Sequence, residues 1–177
     1  SEVTVAAKNS NAAYTVEVTG VELGHVKNKG SFTFPAVDGT TPASWKLSSV
    51  GTDVADYTTT WTDANKLVGD ASSLDASNVA FMVLPQQLAT NTKAKDGNYI
   101  ALKVKITTQG QKVIYDGWAY IGIDTNWEMG KRYAYTLDFS NGAGQDETGK
   151  KIISGTDINL NVSVSAWTPS PQSVTVP

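Results

Sequence analysis

Side chains of alternating polarity recur along this chain, and that two-residue period limits what it can fold into. From Ile100 the apolar residues fall at Ile100, Leu102, Val104 and Ile106, with Lys103 and Lys105 between them. Successive side chains of an extended strand point to opposite faces, so such a segment buries one face and wets the other. The same period recurs at Tyr133, Tyr135, Leu137 and Phe139, and again at Ile158, Leu160, Val162, Val164 and Ala166, where Asn159, Asn161, Ser163 and Ser165 fill the alternate positions. Near the start, Tyr14, Val16 and Val18 alternate until Gly20 interrupts and Val21 and Leu23 resume, which predicts a bulge or a bend.

Shorter segments extend the set. Phe32 and Phe34 follow the turn residues Asn28-Lys29-Gly30, Trp45 and Leu47 follow Pro42, and the dense run Phe81-Met82-Val83-Leu84 ends at Pro85. Gln109-Gly110 separates the strand at 99–107 from the one at 112–115, so those two are expected to pair as a hairpin. Asp116-Gly117 fits either a second tight turn or a bulge within one long strand; a bulge is favoured because Val113 to Tyr115 alone would make a very short strand. Helix signals are poor: Asp63 to Leu74 admits at most one short helix or an ordered loop, since Gly69 and Ser72-Ser73 dilute its pattern. Many short strands without helices predict an all-β fold, two antiparallel sheets packed face to face as a sandwich. The chain reads as one domain over residues 1–177. Its long irregular insertion at about 40–77 either crosses between sheet edges or decorates one end, and a linker-like tail occupies 168–177.

Composition narrows the function. A chain of 177 residues buries roughly two-thirds of its unfolded surface, so its core needs no staple. Lys and Arg number 14 against 17 Asp and Glu, leaving no basic stripe for a nucleic-acid backbone. Cysteine is absent, which excludes disulfides, thiolate metal sites and thiol catalysis. No run approaches the roughly 18 apolar residues of a membrane span, so no transmembrane segment is expected. Ser1-Glu2-Val3-Thr4-Val5 has neither the basic start nor the apolar run of a signal peptide, so an exported form is expected to have lost its signal from this sequence. The low charged fraction, 18%, with abundant Thr, Ser, Asn and Gly, favours an extracytoplasmic β-protein.

Catalytic constellations do not emerge. His25 is the single histidine, and no Gly-x-Ser-x-Gly elbow accompanies it. Zinc lacks ligands. Calcium needs only oxygens, and two groups could be considered: Asp124, Asn126 and Glu128, or Asp53, Asp56, Asp63 and Asp70. Neither matches an EF-hand loop, and turn carboxylates bonding their own backbone are the simpler reading. Gly142, Gly144 and Gly149 lack the Gly-Lys-Ser/Thr ending of a phosphate loop and read as a flexible or tightly turned segment. No enzyme activity, cofactor or metal is expected. Five tryptophans and seven tyrosines could furnish sugar-stacking platforms, with Trp118, Tyr120 and Trp127 close in sequence; core or interface packing is the alternative for the same rings.

Residues 81–167 carry a more specific signal. Phe81-Met82-Val83-Leu84-Pro85-Gln86-Gln87 resembles the apolar-Leu-Pro-Gln element of the fimbrillin-like proteins of Bacteroidetes, the family of major and accessory fimbrial subunits. Gly97-Asn98-Tyr99-Ile100-Ala101-Leu102-Lys103-Val104 resembles that family's next strand. Trp127-Glu128-Met129-Gly130-Lys131-Arg132-Tyr133-Ala134-Tyr135-Thr136-Leu137 resembles its Trp-x-x-Gly-Lys-x-Tyr-x-Tyr-x-Leu signature, and Val164-Ser165-Ala166-Trp167 its closing Val-x-x-Trp. Residues 14–34, with Val18, Val21, Leu23 and Phe32, are loosely similar to the opening strands of the family's second domain.

The resemblance implies a transthyretin-like sandwich with Greek-key connections, corresponding to the C-terminal domain of a usual pair or to a reduced member. It implies a structural or adhesive subunit of a cell-surface, outer-membrane-associated fimbria, exported as a lipoprotein precursor and assembled when a strand of one subunit fills a groove in the next. Other fimbrial subunits are the expected partners, with host or bacterial surface proteins or glycans beside them; a cell-surface carbohydrate-binding module is the alternative. The candidate donor strand lies at Ser173 to Val176, with Val174 and Val176 on one face; a groove strand from Val3 to Val5 is the mirror possibility. Leu84, Pro85, Trp127, Gly130, Lys131, Tyr133, Tyr135 and Trp167 are expected to be structural, the three at Trp127, Gly130 and Lys131 shaping the turn into the strand at 133–139.

Overall fold

The computed structural model describes residues 1–67, 69, 80–153 and 157–167. The strands in chain order are β1 (Glu2–Lys8), β2 (Tyr14–Lys27), β3 (Gly30–Thr33), β4 (Ser44–Leu47), β5 (Val54–Lys66), β6 (Ala80–Met82), β7 (Gln86–Gln87), β8 (Tyr99–Thr108), β9 (Val113–Gly122), β10 (Asn126–Trp127), β11 (Lys131–Asp138) and β12 (Asn159–Ala166). They form two four-stranded sheets, β12-β11-β1-β6 and β5-β2-β8-β9, and two short pairs, β10-β7 and β3-β4. One core lies between the large sheets. It joins Val3, Val5 and Ala7 of β1 and Tyr133, Tyr135 and Leu137 of β11 to the inward rows of β2 and β8. The fold is an all-β sandwich.

Strand β2 sets the phase of one sheet. Its buried residues run Val16, Val18, then Val21, Leu23, then Val26, so the period of two slips twice. Each slip coincides with a break in register. Val18 pairs Val104 while Gly20 pairs Lys103, which leaves Thr19 as an extra residue; against β5, Leu23 pairs Tyr57 and Val26 pairs Ala55. A bulge adds one residue and returns the next apolar side chain to the same face, so the predicted interruption at Gly20 is a bulge. The second slip contains His25 in the left-handed conformation, φ 56°. Its N–H donates to Asp56 Oδ1 at 2.7 Å, and its carbonyl accepts from Asn98 Nδ2 at 2.6 Å.

The predicted hairpin joins β8 to β9, with Ile106 opposite Tyr115 and Thr107 opposite Val113. Its left-handed residue is Gln111, φ 61°, rather than Gly110. The bulge in β9 falls at Ile114; Asp116 and Gly117 pair regularly with Lys105 and Val104 inside one long strand.

Three expectations need correction. The sheets are not wholly antiparallel, because β1 runs parallel to β11, with Val3 opposite Tyr133 and Val5 opposite Tyr135. Alternation reports which face is buried and carries no information about the direction of a neighbour. The segment at 40–77 is not irregular throughout: it contains β4 and the 13-residue β5, and Asp63 to Lys66 belong to that strand rather than to a helix. Threonine fills the inward slot between Tyr57 and Trp61, so an edge strand rich in β-branched residues showed no apolar period. Finally, β12 is not half buried, for its apolar row is largely exposed.

The outer face of the second sheet holds a smaller cluster of Ala94, Tyr99, Ala101 and Tyr120. The Tyr99 ring lies flat over Gly24, where an added Cβ would sit 2.0 Å from its Cζ. Its hydroxyl donates to Glu22 Oε1 at 2.7 Å, and burial followed by that bond pushes the phenol up from its usual value. Gly24→Ala is therefore expected to destabilise the fold by about 2 kcal/mol through overpacking, read as a lower urea midpoint. Adding Tyr99→Leu should recover part of the loss.

Candidate assembly interface

The signature residues gather where the chain passes from β10 into β11. Trp127 is 1% exposed, and its backbone pairs with Gln86 of β7. Its indole N–H donates to Tyr135 Oη at 3.0 Å. The Tyr133 hydroxyl accepts from the Glu128 N–H at 2.7 Å and donates to the Asn126 carbonyl at 2.9 Å. Two inward tyrosines of β11 thus hold the loop that precedes their own strand. Gly130 takes φ 74°, a left-handed turn position that favours glycine, and its carbonyl accepts from the Trp167 N–H at 2.8 Å. Lys131 opens β11 opposite Ala166 and is half buried. Burial pushes the Tyr135 phenol up, against the pull of its bonds to Thr125 and Trp127.

Leu84 and Pro85 are half buried, but the polar residue after them does the joining. Gln86 is 6% exposed. Its Oε1 accepts from the Lys27 N–H at 2.8 Å, and its Nε2 donates to the Lys27 and Leu84 carbonyls at 3.2 and 3.1 Å. It fastens the end of β2 to the segment that carries Trp127. A glutamine in an apolar motif reads as a surface residue, so only its place in the Leu-Pro-Gln element pointed to it.

From this knot β11 leads to the edge of the first sheet. β12 pairs with β11 in an unbroken register: Tyr133 with Val164, Tyr135 with Val162, Leu137 with Leu160. Residues directly opposite each other point to the same side, so the apolar row of β12 faces the core side of the sheet. The β11 tyrosines are buried there, whereas Val162 is 42% and Val164 53% exposed, and Trp167 just beyond is 43% exposed. Among the described residues β12 has no second ladder partner, so its outer N–H and C=O groups line a free border. The candidate donors Val174 and Val176 lie outside the described residues. The mirror possibility at Val3 to Val5 falls within β1, which is paired on both sides by β11 and β6 and is an interior strand.

Other candidates separate. Trp127 and Tyr120 are buried and Trp118 is half buried, so the three rings do not form an exposed sugar platform. Asp53 is tied to Lys29 at 2.8 Å, Asp56 to the His25 amide, and Asp63 lies in β5, while Asp70 is outside the described residues. Asp124 and Glu128 flank β10, with Asn126 inside it, and among the described residues no three acidic or histidine side chains converge for a metal. His25 Nδ1 contacts the Gly97 carbonyl at 3.1 Å and its ring packs edge-on against Tyr99. Gly144 and Gly149 take left-handed turns. No helix among the described residues is long and apolar enough to cross a membrane.

A model of the fimbrillin-like family matches residues 1–167, every described strand from β1 to β12. The chain belongs to the fimbrillin-like family. No curated protein matches it. Among solved structures it is similar to a candidate cell adhesion protein from Parabacteroides distasonis, with a TM-score of 0.56 and 15% identity, covering 97% of this chain and 53% of that one. Candidate cell adhesion proteins from Bacteroides ovatus (TM-score 0.42, 14% identity, 96% and 46% covered) and Bacteroides uniformis (0.42, 15%, 94% and 49%) are also similar. At such identities the first likeness is one of fold, and the chain spans about half the length of these proteins.

Removing one hydroxyl tests the knot. Tyr133→Phe keeps the ring and deletes both bonds to the 126–128 loop, which should cost about 1–2 kcal/mol. Faster hydrogen exchange at the Glu128 amide should accompany the loss of stability.

Proposed function

We propose that this chain is a structural or adhesive subunit of a cell-surface fimbria, joined to its neighbours by strand addition along β12. The observation that carries the reading is the uncovered apolar row Val162 and Val164 on an edge strand whose cross-strand partners Tyr135 and Tyr133 are buried. An added strand would satisfy the free N–H and C=O groups of that border and set its own inward side chains beside the row. Val174 and Val176 are the donor we propose, because their spacing matches one face of a strand. Membership of the fimbrillin-like family supports other fimbrial subunits as partners and the outer cell surface as the location. The name of the similar structure from Parabacteroides distasonis supports an adhesive role. The burial of Trp127 and Tyr120 weighs against the carbohydrate-binding alternative.

Two variants separate donor from acceptor. Deleting residues 168–177 should abolish assembly in size-exclusion chromatography while the circular dichroism spectrum is retained. Val162→Lys with Val164→Lys, at exposed positions, should do the same by placing charge in the acceptor row. Mixed together, the two proteins should form a one-to-one complex and stop, since each retains the half the other lacks. Polymers formed by the deletion variant would rule out the C-terminal donor, and polymers formed by the lysine variant would rule out β12 as acceptor.

A further inference from the structure

A pocket of about 380 Å³ opens along the border of β9, where the rings of Tyr115, on the core side of the strand, and of Trp118 and Tyr120, on its outward side, meet three carboxylates, Asp116, Asp146 and Glu147. Its walls are fixed by the backbone. The Tyr115 hydroxyl donates to the Trp118 carbonyl at 2.7 Å, and at Gly117 an added Cβ would come within 3.0 Å of that hydroxyl. Across the pocket, Gln145 exchanges backbone hydrogen bonds with Tyr120 at 2.8 and 3.0 Å. Gly144, at φ 73°, lets the loop approach, since a Cβ there would lie 2.7 Å from the Tyr120 carbonyl. Asp146 Oδ1 accepts from the Thr148 N–H and hydroxyl and from the Lys150 N–H, which locks the acidic turn.

The chemistry of the pocket is one-sided. None of its lining residues is basic. The nearby cations are Lys103 and Lys105 of β8, cross-strand from Trp118 and Asp116, Lys150, at the back of the Asp146 turn, and Lys95, which already occupies the rim: its Nζ lies 5.3 Å from the centroid of the Tyr120 ring and 3.8 Å from Glu147 Oε2. The chain's own lysine therefore makes there both contacts that a foreign cation would use, a ring face and a carboxylate. Burial, then the negative charges of Asp146, Glu147 and Asp116, push the Tyr115 phenol up to about 12. A neutral sugar would gain only hydrogen bonds from those carboxylates, whereas a cation would gain the attraction of their charge as well.

We propose that this pocket receives a cationic side chain of a partner protein, an arginine above a lysine. A guanidinium plane stacks on an aromatic face while its edge meets a carboxylate in a two-pronged pair, and the combination of Trp118 with Asp116 and Glu147 supplies both surfaces. The inference is independent of strand addition along β12, because it concerns the β9 border of the other sheet.

The test is an NMR titration of the full chain with Nα-acetyl-arginine amide, observed at the Trp118 indole and the Glu147 amide. Saturable shifts at both are expected, with binding about tenfold weaker for the uncharged citrulline analogue. Glu147→Gln and Trp118→Ala should weaken the binding. Lys95→Met should strengthen it several-fold by vacating the Tyr120 face and Glu147, a gain that a poorly folded variant could not imitate. Equal binding of the citrulline analogue, no shift with arginine, an unchanged or weaker Lys95→Met, or shifts at these positions with methyl hexosides in place of arginine would each overturn the proposal.

Discussion

The inward row of β2 is the constraint on which the second sheet depends. Val16, Val18, Val21, Leu23 and Val26 are all buried although the chain changes phase twice between the first and the last. Only extra residues at Thr19 and around His25 keep the row on one face, and each has a local support. Asp56 accepts from the His25 amide, and the small Gly20 leaves room for the Thr60 side chain and the Trp118 ring, both about 3 Å from where its Cβ would stand. A strand of 14 residues without those slips would keep Val16, Val18 and Val26 on one face and turn Val21 and Leu23 to water. At roughly 1.5–3 kcal/mol for each fully buried aliphatic side chain, losing those two would take about 3–6 kcal/mol from the roughly 5–15 kcal/mol that hold an ordinary domain folded.

How much of this is legible in the sequence follows from what alternation encodes. β8, β11 and the first half of β2 are plain because large apolar residues occupy every inward slot. The interruption at Gly20 marks the first bulge for the same reason. β5 hides because only Tyr57 and Trp61 of its core-side row are large and apolar, with Thr59 between them, and the parallel pairing of β1 hides because the pattern contains nothing about a neighbour's direction. β12 shows the opposite failure: its alternation is clear, yet whether a face is covered depends on the other sheet. The signature residues were found through resemblance, while the role of Gln86 rests on three hydrogen bonds that no periodicity announces.

The knot of Gln86, Trp127, Tyr133 and Tyr135 links both sheets at one end of the sandwich. Gln86 holds the last residue of β2, and Trp127, paired to Gln86 through the backbone, hangs from a tyrosine of β11. Polar contacts inside an apolar surround hold geometry firmly, because breaking one leaves a buried group without a partner. The consequence reaches the sheet border. With β11 fixed by its tyrosines and the Gly130 carbonyl bound to Trp167, β12 is held in one register along eight residues without a bulge.

Comparing the borders of the two sheets shows why β12 differs. β6 has three residues, too few to template another strand. β9 is interrupted by its bulge at Ile114, carries Asp116, and is met by Gln145 at Tyr120. β5 breaks register between Thr60 and Asn65 and bears Asp56, Asp63 and Lys66. Short length, bulges, charges and covering segments are the devices by which sheet borders avoid unwanted pairing. β12, with the sequence Asn-Leu-Asn-Val-Ser-Val-Ser-Ala, has no charge, no proline and no bulge. A border so flat and neutral, with apolar side chains on the core side, would be an aggregation hazard in a chain meant to remain alone. Under the proposed strand addition it is what a docking strand requires, and the three blunted borders would direct the joining to β12.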